Sequence, residues 1–95
     1  MKYIWDDRKN KANIRKHGIP FARAIRMFEG RVMETLDGEV EHGESRIKAV
    51  GLVDGVEIFV VYTDREGETR RIVSARKATR KERETYWQSV ARSDG

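Results

Sequence analysis

Between residues 45 and 75 the apolar positions recur at every second residue. Ile47, Ala49 and Val53 fall on one face of an extended segment, and Val56, Ile58, Val60 and Tyr62 fall on one face of the next. Between them stands Asp54-Gly55, the two-residue signature of a tight hairpin. A polar turn, Asp64-Arg65-Glu66-Gly67, then leads into a third extended segment near 68–75. This pattern predicts three antiparallel strands in a meander. Short strands are also predicted at 2–5 and 31–35. Residues 36–44 are acidic, hold two glycines and read as a loop.

On either side the period lengthens to that of a helix. Asp6 is a suitable N-cap for a helix over 7–17, and Gly18 suits the left-handed position just past its end. The apolar face of this helix is thin, Ala12 and Ile14 only, which places it at the surface. Pro20 opens a second helix in which Phe21, Ala24, Ile25 and Phe28 lie at i, i+3, i+4 and i+7, and Gly30 closes it. Thr79 and Glu82 form a capping-box pair ahead of a last helix over 80–91, with Tyr86, Trp87 and Val90 placed to dock on the sheet. The predicted fold is α+β, an antiparallel meander sheet with two N-terminal helices and one C-terminal helix, in a single domain over 1–95.

Composition narrows the chemistry. The 95 residues include no cysteine, which removes disulfides and thiolate sites, and only two histidines, so a zinc site would have to recruit carboxylates. No metal site or cofactor is expected. No apolar run approaches the roughly 20 residues needed to span a bilayer, and no signal-peptide pattern opens the chain, so a soluble cytoplasmic protein is expected. The net charge of +4 is unevenly spread: +6 over residues 1–26, −7 over 27–69 and +5 over 70–95. If the two basic ends meet in the fold, they make a surface that attracts polyanions.

The densest basic segment is residues 70–81, with Arg70, Arg71, Arg76, Lys77, Arg80 and Lys81 and no acid. It straddles a strand end and a helix N-terminus, where free N–H groups already favour an anion. Like charges there destabilise the helix start, and that points to bound phosphate. Alternation puts Arg71 and Val73 on one strand face and Arg70, Ile72 and Ser74 on the other. Asn13, Lys16 and His17 are neighbours on the first helix, and His17 is the natural proton carrier, with His42 a weaker one. Glu44 and Arg46, two apart on a strand, suit a structural ion pair or an arginine oriented towards phosphate. Tyr62 and Tyr86 suit core packing, with proton donation or base stacking as the alternative. No phosphate loop, dinucleotide-binding glycine pattern, metal-ligand run or Ser-His-Asp order is present. If RNA is the substrate, these residues fit attack by the neighbouring 2′-hydroxyl, which needs only a proton acceptor, a proton donor and positive charge on the phosphorane.

Four segments in order carry a resemblance: Ile4-Trp5-Asp6; Asn13 to Ile19 with Phe21; Glu44-Ser45-Arg46 with Gly51; and Arg71 to Thr79 with Glu82, Arg83 and Tyr86. Together they resemble the BrnT toxins of bacterial type II toxin–antitoxin systems over nearly the whole chain. The resemblance implies a RelE-like fold and an endoribonuclease that arrests growth. It also implies a ribbon-helix-helix antitoxin of the BrnA kind, which neutralises the toxin and through which alone operator DNA is bound. The site expected on this basis has His17, Arg46, Arg76 and Arg80 as catalytic groups and Lys16, Arg71, Lys77 and Lys81 as RNA-binding groups. The alternative is a non-catalytic module that binds the antitoxin and acts as co-repressor.

Overall fold

A computed structural model describes residues 1–41 and 43–94. The elements are β1 (Lys2–Ile4), α1 (Asp7–His17), α2 (Phe21–Ala24) continuing into a 3-10 turn (Ile25–Glu29), β2 (Met33–Glu41), β3 (Glu44–Val53), β4 (Val56–Arg65), β5 (Thr69–Lys77) and α3 (Arg80–Asp94). The strands form one five-stranded sheet in the order β1-β5-β4-β3-β2.

Three expectations are corrected. The sheet is mixed: β2 to β5 are antiparallel to their neighbours, but β1 lies parallel to β5, with Lys2 opposite Thr69 and Ile4 opposite Arg71. The chain can run parallel there because α1, α2 and three strands intervene, so no tight turn dictates direction. The second helix is a single α-turn that tightens to 3-10 at Ile25 instead of one helix to Gly30. Most of the expected acidic loop is strand: β2 continues through Leu36 to Glu41, with an irregularity between Leu36 and Val40 that absorbs Gly38. His42 lies outside the described residues.

Local signals do set the element ends. The Asp6 carboxylate accepts from the backbone N–H groups of Arg8 (2.7 Å) and Lys9 (3.3 Å), and those bonds hold it below the usual carboxylate range. Gly18 takes φ 74° at the end of α1. Asp54 and Gly55 both have positive φ, 50° and 80°, as the hairpin between β3 and β4 requires. The Thr79 N–H donates to Glu82 (2.8 Å) and the Glu82 N–H donates to Thr79 Oγ1 (3.2 Å), a complete capping box.

Helices cover both sheet faces. On the first face Phe21, Ala24 and Met27 pack on Ala49, Val60, Tyr62, Ile72 and Ala75, all at most 1% exposed. Each large side chain buried there contributes about 1.5–3 kcal/mol. Gly51 of β3 lets the 3-10 turn approach: a Cβ at this position would stand 3.1 Å from Met27 Cβ. Gly51→Val is therefore expected to lower the unfolding free energy by about 1–3 kcal/mol in urea denaturation, through overpacking against Met27. On the second face α3 lays Tyr86 and Val90 on Val50, Phe59, Val61 and Ala78. Trp87 does not dock as expected. It stays 46% exposed, its indole N–H donates to Glu57 (2.9 Å), and that bond lowers the Glu57 carboxyl.

Candidate functional site

Strand register assembles the site. On the second sheet face three rows cross the strands: Met33, Val50, Phe59 and Arg76; Thr35, Lys48, Val61 and Ser74; and Arg46, Thr63 and Arg71. α3 covers the first of these, and the other two continue beyond it. Arg46, Arg71 and Arg76 therefore share one face. Ser74 joins them because the pairing of β4 with β5 slips between Val61 and Tyr62, leaving Val73 as an extra residue. Strict alternation had set Ser74 on the opposite face, and the bulge reverses it.

The three arginines differ in their partners. Arg76 makes a bidentate pair with Glu82, at 2.8 and 2.9 Å, and its guanidinium lies 4.0 Å over the Phe59 ring. Burial pushes the Glu82 carboxyl up, but hydrogen bonds from Arg76 and Thr79 outweigh it and hold the carboxyl below its usual value. The buried Nε of Arg46 pairs with Asp37 at 3.2 Å, a charge contact whose angle does not make a hydrogen bond. Arg71 Nε is likewise buried without a hydrogen bond, and Arg71 has no ion-pair partner among the described residues. Glu44 does not pair with Arg46. It reaches across the sheet to Arg65 (3.2 Å) and accepts from Thr63 Oγ1 (2.9 Å), because cross-strand neighbours lie closer than residues two apart on one strand.

Arg70 belongs to the other face. Its guanidinium lies 4.4 Å from the Phe28 ring centroid and 4.9 Å from that of Tyr62, and it pairs with Asp64 and Glu34. Tyr62 donates to Glu34 (2.8 Å). Burial first, and that bond second, raise its phenol far above the ordinary range; fully buried in the core, it is a packing residue. Tyr86 is also buried, which raises its phenol, and donates to the Arg31 carbonyl.

The basic chain ends do meet, since β1 and α1 both lie against β5. Beyond Arg71 that edge is taken over by α1. Buried Asn13 donates to the Ala75 carbonyl (2.8 Å) and the Ile19 carbonyl (2.9 Å), and accepts from the Ala75 N–H (3.1 Å), so one side chain serves as a strand partner. Beside it Lys9, Lys16 and His17 line a shallow groove with Val73 and Ser74. Lys9 also pairs with Glu41 at 3.1 Å, tying α1 to the β2–β3 hairpin. Arg76 does not line the His17 groove. Ser74 links them: it lines the His17 groove and stands on the arginine face, two residues from Arg76.

The remaining expected residues lie at the margin. Lys81 lines a second groove, of about 310 Å³, with Lys48, Phe59 and Glu82. Arg80 is 86% exposed and pairs with Glu84 one turn on. Lys77 is exposed at the end of β5, opposite Ile58, and so on the face away from Arg76. Lys48 and Ser74 were not anticipated as site residues. Lys48 could have been found by extending the alternation of Glu44 and Arg46 two residues further.

A family model described as "Ribonuclease toxin, BrnT, of type II toxin-antitoxin system" matches residues 5–82. The crystal structure of the Brucella abortus ribonuclease toxin BrnT aligns with a TM-score of 0.64 and 29% identity, over 84% of this chain and 99% of that one. FK506-binding protein 59 of Drosophila melanogaster is 51% identical over 45 residues, 47% of this chain. The chain spans about a tenth of the length of that curated relative. The match over residues 5–82 includes all the arginines of the open sheet face and the His17 groove, and on it the chain belongs to the BrnT family of ribonuclease toxins of type II toxin–antitoxin systems.

Proposed function

We propose that this chain is a metal-independent endoribonuclease toxin that cleaves RNA through the neighbouring 2′-hydroxyl. The observation that carries the reading is the gathering of Arg46, Arg71 and Arg76 on one sheet face, with Ser74 connecting them to the His17 groove. The 2′-hydroxyl gives up its proton as its oxygen bonds to phosphorus. The bond to the 5′-oxygen breaks, that oxygen takes a proton, and the products are a 2′,3′-cyclic phosphate and a 5′-hydroxyl end. His17 handles one of the two protons. Arg46 and Arg76 neutralise the phosphorane, in the place a metal ion would otherwise fill. Arg71, Lys16 and Lys81 hold neighbouring phosphates, while the exposed Arg80 and Lys77 add to the attracting field. The cognate antitoxin is a ribbon-helix-helix protein, and the complex represses its own operon.

Incubation of the purified chain with labelled RNA tests this directly. Excess EDTA is expected to leave the rate unchanged, the new ends are expected to be cyclic phosphates, and a single 2′-deoxy substitution at the cut position is expected to stop cleavage there. Cleavage abolished by EDTA and restored by a divalent cation overturns the metal-free route. Equal cleavage of the deoxy-substituted strand overturns 2′-hydroxyl attack.

A further inference from the structure

We infer that the groove between α3 and the β2–β3 side of the sheet is a nucleobase subsite, which seats a base next to the scissile phosphate. The inference rests on reading the arginine face as the phosphate site. The groove's floor is apolar, built from Met33, Val50 and Phe59, and its rims carry Lys48 and Lys81. Neither ammonium group has an ion-pair partner among the described residues. Thr35, Thr79, Thr85 and Glu82 complete the walls; the Thr85 hydroxyl donates to the Lys81 carbonyl, and Glu82 is held by Arg76. An apolar slot rimmed by the cationic donors Lys48 and Lys81 suits a flat aromatic heterocycle with acceptor atoms on its edge.

Its position selects a base over other flat ligands. Met33, Val50 and Phe59 are the start of the row that ends at Arg76, and the Arg76 guanidinium lies on the Phe59 ring. From Val50 on β3 to Arg76 on β5 is two strand spacings, about 10 Å. That is the reach of one nucleotide from its phosphate to the edge of a base. A strand whose phosphate meets Arg76 thus brings an adjoining base over the groove. Lys48 serves both regions, because its row continues to Ser74. A volume of about 310 Å³ is ample for one base.

The test uses a fluorescent RNA pentamer with 2′-O-methyl groups throughout, which cannot be cleaved by its own 2′-oxygens, read by anisotropy against the full chain. Abasic nucleotides are placed at each position in turn. One position is expected to weaken binding about tenfold or more, the loss typical of a stacked base. Thr85→Trp and Thr35→Trp fill the groove from two different elements, and both positions are exposed, so folding is retained and checked by circular dichroism. Both variants are expected to bind the intact pentamer as weakly as the parent binds the abasic one, with no further loss on removing the base. A flat abasic series overturns the subsite, and so do filled variants that still discriminate. If Thr85→Trp blocks the antitoxin complex while base discrimination persists, the groove belongs to the protein partner and the inference falls. The nuclease reading is judged separately with the all-ribose pentamer. Base-dependent binding without cleavage keeps the subsite and removes the catalysis.

Discussion

Arg76→Ala is expected to slow RNA cleavage about 10²–10³-fold, the loss typical of removing one preorganised charge from a developing oxyanion. Three contacts fix its guanidinium: the Glu82 carboxylate, the Phe59 ring and the Lys77 carbonyl, which accepts from it at 3.1 Å. A guanidinium held in this way would meet a phosphorane with little reorganisation. Arg76→Lys should recover only part of the rate, since an ammonium lacks the fork that can hold Glu82 and phosphate together. His17→Ala is expected to fall by a similar factor through loss of a proton carrier. Arg80→Ala should change little, because that side chain is 86% exposed in a surface pair. Both impaired variants should lose growth arrest in cells while still binding antitoxin. Arg76 is also structural, so thermal unfolding must accompany the kinetics: without it Glu82 keeps only its cap bonds. A folded Arg76→Ala protein that cleaves at the parent's rate removes this residue from the phosphate site.

Asn13→Ala is expected to lower the unfolding free energy by about 3–5 kcal/mol. It deletes three hydrogen bonds and leaves the Ala75 N–H, the Ala75 carbonyl and the Ile19 carbonyl without their partner, at about 1–3 kcal/mol for each buried group. Against a total of about 5–15 kcal/mol for a domain, such a loss is severe. Urea denaturation reads it directly. Asn13→Asp should fare no better, because a carboxylate can still accept from Ala75 but cannot donate to either carbonyl. A midpoint close to the parent's for Asn13→Ala would mean that water or backbone movement takes over all three bonds.

Signals that act within a few residues were legible in the chain. Asp6, Gly18, Asp54-Gly55 and the Thr79–Glu82 box each set an element boundary where the sequence placed it. The inward faces of β3 and β4 were legible for the same reason: alternation fixes them once the hairpin turn is known. What depended on distant partners was not. Nothing near Lys2–Ile4 announces that its partner is Thr69–Arg71, at the other end of the chain. The continuation of β2 through an acidic stretch was hidden because its charges are satisfied elsewhere in the fold, Asp37 by Arg46 and Glu41 by Lys9.

The site divides along the same line. Residue types pointed to Arg46, Arg71, Arg76 and His17; strand register puts the three arginines on one face, while His17 lines a separate groove on α1. One extra residue at Val73 decides on which side of the sheet Ser74 stands, and no spacing rule reveals a bulge. The basic run from Arg70 to Lys81 read as uniform positive charge. In the fold it is sorted by contact: Arg70 into an aromatic nest, Arg76 onto Glu82, Arg80 into solvent.

Glu82 Oε1 accepts both the Thr79 N–H that caps α3 and one nitrogen of Arg76, and Oε2 accepts the other nitrogen. The onset of the helix and the aim of the guanidinium are thereby geared together. An insertion or deletion between Lys77 and Glu82 would swing the arginine as surely as it would reposition the helix. Sequence drift in that short connector is mechanically tied to where Arg76 points, even at positions that never touch it.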